Sequence, residues 1–196
     1  GRSGWIWVQP WRIPPINIVC MQSVELHSHS MPDRGDGALM KLLVFSDSHG
    51  NIEHMRRAVE QEHPDQILHL GDVMRDAVEL SRAYPNIPLE LVPGNCDYAT
   101  DVPVQKILYF EGRRILMTHG HIYHVKLGIG QAVRAAVEAK VDVLLFGHTH
   151  EAFCCEQDGL WVMNPGTIRG GLVPTCGIIR LEGEHTSCEI IEIPRG

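Results

Sequence analysis

The feature that most limits the fold is a repeating unit, in which an apolar run of strand length ends in a polar cluster and is followed by a stretch with helical spacing. The runs are "KLLVFSDSHGN", "QILHLGD", "LELVPGNCD", "RRILMTHGH" and "VDVLLFGHTH". Between them, "NIEHMRRAVEQE", "VMRDAVELSRAY" and "IGQAVRAAVEAK" repeat apolar residues near the 3.6-residue period of a helix. Strands alternating with helices predict an α/β sheet that is largely parallel at its centre. Open sheets of this kind bind ligands in the crevice at the carboxyl ends of their strands. The five polar clusters are therefore expected to converge on one place.

What converges is a set of oxygen and imidazole donors: Asp47, His49, Asp72, Asn95, His119, His148 and His150. Taken singly, a "DSH" or a "GD" is a chance motif, and a lone core histidine is usually a hydrogen-bonded structural group. Five such clusters, each at the end of an expected strand, read instead as a metal site. Seven ligands exceed one tetrahedral ion and suit two five- or six-coordinate ions that share a bridging carboxylate. In "GHTH", an extended backbone would put His148 and His150 on the same side, roughly 6 to 7 Å apart, one imidazole for each ion.

Composition narrows the class. A chain of 196 residues is long enough for one core without staples, and 44% hydrophobic with 21% charged residues is globular. No apolar run approaches the roughly 20 residues of a membrane span. The net charge of -7 disfavours a sequence-independent grip on nucleic acid. Six cysteines without CxxC spacing read as free thiols of a reducing cytoplasm, with Cys154 and Cys155 as strand residues.

Residues 1 to 39 lack periodicity and hold Trp5, Trp7 and Trp11 with Pro10, Pro14 and Pro15. They are expected to lie outside the catalytic fold, with a natural start at Met40, a single domain from residue 40 to residue 196, and the tryptophans covering an apolar patch. Their charges cancel, so the whole -7 belongs to the body. His27 and His29 are read as tail and excluded from the site.

The ordered set "DSH", "GD", "GNCD", "THGH" and "GHTH", with "NPGT" near the end, resembles the calcineurin-like metallophosphoesterase superfamily and its small bacterial and archaeal phosphodiesterase branch. The resemblance runs from about Met40 to the C-terminus. It implies a four-layer αββα sandwich of two mixed β-sheets flanked by helices. It also implies a ligand set: Asp47, His49 and His150 on one ion, Asn95, His119 and His148 on the other, and Asp72 bridging. Mn²⁺ is the first choice, with Fe²⁺, Ni²⁺ and Zn²⁺ as alternatives. The expected reaction is hydrolysis of a small phosphate ester, most readily a diester. Two ions about 3.5 to 4 Å apart acidify a bridging water, which attacks phosphorus as hydroxide. Asn95 suits its place because a neutral amide gives its oxygen to a metal while its NH₂ faces a phosphate oxygen.

"GNCD" departs from the wider pattern, where the loop reads "GNHE" or "GNHD" and the histidine assists the leaving group. Here Asp97 stays and Cys96 replaces its imidazole partner. A thiol is a weak hydrogen-bond donor, and losing a general acid costs about 10² to 10⁴ in rate. The competing reading makes Cys96 a small buried filler. Asn95, Cys96, Asp97 and His121 are the residues assigned to the chemistry, with His121 or His124 as substitute acid or as packing. His69 is expected behind the ligands, Arg169 at a phosphate or in solvent, and His54, His63 and His185 at the surface. Gly128 and Gly130 make no dinucleotide fingerprint. A phosphomonoesterase, a nuclease or a non-catalytic interaction scaffold on the same fold are the alternatives, and homo-oligomerisation is left open.

Overall fold

A computed structural model describes residues 25–28, 37–98, 100–169 and 173–194. Eleven strands form two mixed sheets. One sheet has the order β1 (Glu25–Ser28), β5 (Gln105–Phe110), β6 (Arg113–Thr118), β7 (Val143–Leu145), β9 (Leu160–Asn164) and β8 (Phe153–Gln157). The other runs β11 (His185–Glu192), β10 (Thr175–Glu182), β2 (Met40–Phe45), β3 (Gln66–His69) and β4 (Leu89–Leu91). The centres are parallel, as the alternating pattern predicts: β2 with β3 and β3 with β4 in one sheet, β6 with β7 and β7 with β9 in the other.

Three apolar layers make this a four-layer αββα sandwich, and single strands show how. On β2, Met40, Leu42 and Val44 face the core between the sheets, while Leu43 and Phe45 face helices α1 (Ile52–Glu62) and α2 (Met74–Ala83). On β6 and β7, Ile115, Met117, Val143 and Leu145 enter the same central core, and Leu116 and Leu144 pack on helix α3 (Gly130–Glu138). Successive side chains of a strand alternate faces, so a strand buried on both sides must be apolar throughout. That is why residues 42–45, 115–117 and 143–145 are all apolar, with Lys41, Arg113 and Arg114 confined to the half-buried starts of their strands. The helices bury the residues their spacing selects: Met55, Ala58 and Val59 on α1, Ala132, Ala135 and Ala136 on α3.

Strand β1 adds a parallel edge to β5, pairing Glu25 with Lys106 through Ser28 with Tyr109. Part of residues 1 to 39 thus lies along a sheet edge, although the sequence shows no period there. Trp5, Trp7 and Trp11 fall outside the described residues. Among those described, no helix is long and apolar enough to cross a membrane. Cys154 and Cys155 lie in β8, and the five described cysteines are free.

Candidate metal centre

The five loops that leave β2, β3, β4, β6 and β7 meet at one end of the two sheets, and backbone hydrogen bonds lace them together. Asp47 N–H donates to Gly71 O (3.0 Å), Ser48 N–H to Asp72 O (3.1 Å) and Gly147 N–H to His119 O (2.9 Å). The approach is close enough to need glycine. A Cβ at Gly147 would stand 2.0 Å from Ser46 Oγ, and one at Gly94 2.0 Å from Asp72 Oδ1. The donors are held in left-handed backbone conformation: Asp47 (φ 54), His49 (φ 43), Asp72 (φ 52), His148 (φ 68) and His150 (φ 63). Each such non-glycine residue costs about 1–3 kcal/mol and persists only where its surroundings over-determine it.

Around His119 the geometry calls for a cation. The ring is fully buried and its Nδ1–H donates to Leu70 O at 2.9 Å, which turns Nε2 toward the site. Facing Nε2 are Asn95 Oδ1 at 3.0 Å, His148 Nδ1 at 3.1 Å and Asp72 Oδ2 at 3.6 Å. Burial, then the neighbouring His119 and Lys126, push His148 down to about 4, so at neutral pH its imidazole is uncharged. Burial pushes the Asp72 carboxyl up, but the Cys96 N–H it accepts and the nearby His119 outweigh this and hold it below the usual range. A carboxylate, an amide oxygen and two imidazoles thus converge on one point.

The adjoining group is Asp47, His49 and His150, whose ligand atoms lie within 4.8 Å of one another. Asp47 Oδ2 is engaged by Ser46 Oγ (2.5 Å) and His148 N–H (3.1 Å). Its Oδ1 is buried without a hydrogen-bond partner, although His150 Nε2 lies 3.0 Å away, and His49 Nε2 is orphaned in the same way. Buried polar atoms are nearly always satisfied, so two orphans within one group of ligand atoms suit a place where a cation would bind. The donors fit divalent metal on both sides. Asp72 Oδ2 stands between the two groups, 4.0 Å from His49 Nε2 and 3.6 Å from His119 Nε2. Asp47 Oδ1 also reaches both, at 3.0 Å from His150 and 3.9 Å from His119.

Three expectations need correction. "GHTH" is a bend rather than an extended segment, and His148 and His150 diverge because both residues are left-handed. Cys96 is exposed, so it is no buried filler. Its thiol is raised, by partial burial and then by the Asp72 carboxylate. His54 is half-buried rather than on the surface, with Nδ1 3.2 Å from Ile168 O. His185 and Arg169 are exposed.

His121 borders the site. Its ring centroid is 5.5 Å from that of His119 and 6.3 Å from that of His148, and its buried Nδ1 has no partner. His124 is exposed on the same loop. His69 lies behind the ligands, where burial pushes it down to about 4. Its Nδ1 accepts Gly71 N–H, which leaves Nε2–H to donate to Ser48 Oγ at 3.1 Å. Ser48 Oγ in turn donates to Asp76 Oδ2 (2.7 Å), which also accepts Gly50 N–H (2.6 Å). Asp76 thereby braces the "DSH" loop from inside α2, and sequence reasoning missed it. Thr167 Oγ1 likewise ties the "NPGT" loop to Asp47 O at 2.9 Å, and Asn164 Nδ2 holds Gly147 O at 3.2 Å.

Comparison with known proteins agrees with this geometry. Residues 40–184 match the model of the calcineurin-like phosphoesterase superfamily domain. The chain is 35% identical over 133 residues to the probable metallophosphoesterase YsnB of Bacillus subtilis (strain 168), covering 66% of this chain and 76% of that one. It is 28% identical over 169 residues to the phosphodiesterase YfcE of Escherichia coli (strain K12), covering 72% and 88%. Among solved structures, Vacuolar Protein Sorting 29 from Cryptosporidium parvum superposes with a TM-score of 0.62 at 18% identity, covering 80% of this chain and 99% of that one.

Proposed function

The chain belongs to the calcineurin-like phosphoesterase superfamily, and from that premise we propose that it is a phosphodiesterase whose seven convergent donors hold two divalent cations. The observation that carries this reading is the cluster of donor atoms around His119 Nε2 beside the orphaned Asp47 Oδ1 and His49 Nε2. Asp47, His49 and His150 would hold one ion, and Asn95, His119 and His148 the other. Asp72 would be shared, because its Oδ2 is nearly equidistant from His49 and His119, whereas Asp47 Oδ1 favours His150. The chemistry such ions supply when bound is charge neutralisation at the phosphoryl oxygens and a water acidified enough to attack phosphorus.

The chain's own residues do the rest. The Asn95 side chain is exposed and points its oxygen at His119; its NH₂ donates one hydrogen to Cys96 Sγ at 3.6 Å, which leaves the other for a phosphate oxygen. Cys96 sits at the rim with a thiol that keeps its proton, a poor hydrogen-bond donor to a leaving group. His121 borders the ligand set, its ring centroid 5.5 Å from that of His119, and is the candidate for a substitute acid, a weak one because burial and then His119 push it down. A site short of a strong acid favours esters whose leaving groups depart unprotonated, namely aryl diesters over alkyl monoesters. The relative YfcE, named a phosphodiesterase, supports the same preference.

Elemental analysis of untreated protein with a substrate panel tests the reading, with two divalent ions per chain and measurable aryl diester turnover expected. A chain that takes up no metal and hydrolyses no ester would be a scaffold, a use for which the vacuolar sorting neighbour shows the fold is available. Replacement of the rim thiol tests the diester preference. Cys96→His should raise the ratio of alkyl monoester to aryl diester turnover by about tenfold or more. Because a packing defect lowers both rates together, an unchanged ratio with two ions still bound would mean that the cleft's shape, not the thiol, sets the preference.

A further inference from the structure

We infer that Asp97 is a positioning residue that holds the strained turn carrying Asp72, and that it is not the partner of a proton donor at the leaving group. The inference rests on the metal-site reading and concerns how the shared carboxylate is aimed. Between β3 and α2, three consecutive residues have positive φ: Gly71 (100), Asp72 (52) and Val73 (80). For glycine this is free, but for a β-branched valine it is a genuine outlier, which the surroundings have to enforce. No side chain of the turn itself does so, since Val73 precedes the first helical residue and gives α2 no side-chain cap.

The enforcing group comes from the next loop. Asp97 Oδ2 accepts Asp72 N–H at 3.0 Å, and Asp97 Oδ1 accepts Met74 N–H at 2.8 Å, so one carboxylate clamps the amides on either side of Val73. Oδ2 also accepts Gly94 N–H at 2.9 Å, which ties the clamp to the start of its own loop. Met74 N–H is among the first amides of α2, which have no partner within the helix, so Asp97 also serves as the helix's anionic cap. The two loops interlock: a Cβ on Gly71 would stand 2.3 Å from Gly94 N, and Cys96 N–H donates to Asp72 Oδ1 at 2.9 Å. The 94–97 loop thus fixes Asp72 twice, by its backbone through Asp97 and by its side chain through Cys96 N–H. What is left free is Oδ2, aimed between His49 and His119. With three backbone amides on its two oxygens, Asp97 has little acceptor capacity left for an imidazole.

The test compares wild type, Asp97→Asn and Asp97→Glu as full chains. Asp97→Asn puts an NH₂ against a backbone N–H, so Mn²⁺ affinity measured by calorimetry should fall about 10- to 100-fold. Amide exchange at Asp72 and Met74 should accelerate in the same variant. Asp97→Glu keeps the charge and should fall between the two, and it carries the test if the asparagine variant does not fold. The dependence of rate on leaving-group pKa should keep its slope in both. Unchanged metal affinity and exchange, or a changed slope with affinity intact, overturns the assignment. A wild-type chain that binds none of Mn²⁺, Fe²⁺, Ni²⁺ and Zn²⁺ would instead overturn the metal-site reading itself, which separates the two failures.

Discussion

Dialysis against a chelator should abolish ester hydrolysis, and Mn²⁺ added back should restore it. The side chains around the site leave no other route of comparable power. Ser46 and Ser48 are fully buried, and their hydroxyls are spent on Asp47 and Asp76 inside the loops, so neither is presented to a substrate. Among the described cysteines Cys96 is the exposed one, and its surroundings raise rather than lower it, the opposite of what a nucleophilic cysteine needs. Lewis-acid neutralisation of a transferring phosphoryl group contributes several kcal/mol. At about 1.4 kcal/mol per tenfold, removing it should cost about 10³ or more in rate. The check pairs the rate of aryl diester hydrolysis with metal content measured on the same sample before and after dialysis. Turnover that persists in protein shown to be free of metal would end the proposed mechanism.

The parts of this site that were legible in the sequence are those governed by period and by strand ends. Strands β2, β3, β6 and β7 are buried on both faces through their centres, so residues 42–45, 67–68, 115–117 and 143–145 are apolar without a break, and the site residues lie in the polar loop just beyond each run. Strand β11 is half exposed along its length, and "HTSCEIIE" gives no such signal. The division into two sheets was equally invisible to periodicity and came from the resemblance, because a strand pattern does not say which neighbour it pairs with. Asp76 was hidden for a different reason. An acid in the first turn of a helix is ordinary at the surface, yet Asp76 sits on the same buried face as Ala77 and Leu80. An acid on the apolar stripe of "MRDAVELSRA" was the available clue. The extended reading of "GHTH" failed because alternation assumes β backbone, and the loop instead turns through two left-handed histidines. Nothing in four residues announces that conformation when packing against Ser46 and Asp47 imposes it.

Asp72→Asn should be the most damaging single ligand change, and its geometry makes the outcome interpretable. The asparagine oxygen can still accept Cys96 N–H in place of Oδ1, so the turn held by Asp97 and the fold around it should survive. What changes is the other position, where an uncharged NH₂ replaces Oδ2 between His49 and His119. That removes a unit of negative charge from both ions at once and sets a donor against them. Loss of both ions is expected, with kcat/KM down by about 10³ or more, a scale set by the several kcal/mol such ions contribute. Metal counting at matched free Mn²⁺, with circular dichroism to confirm the fold, is the measurement. Asp47→Asn is the control, since Asp47 Oδ1 lies closer to His150 than to His119 and its loss should weaken the His49 and His150 side first. If Asp72→Asn keeps two ions at normal affinity while Asp47→Asn loses both, then Asp47 is the shared carboxylate and Asp72 serves one ion.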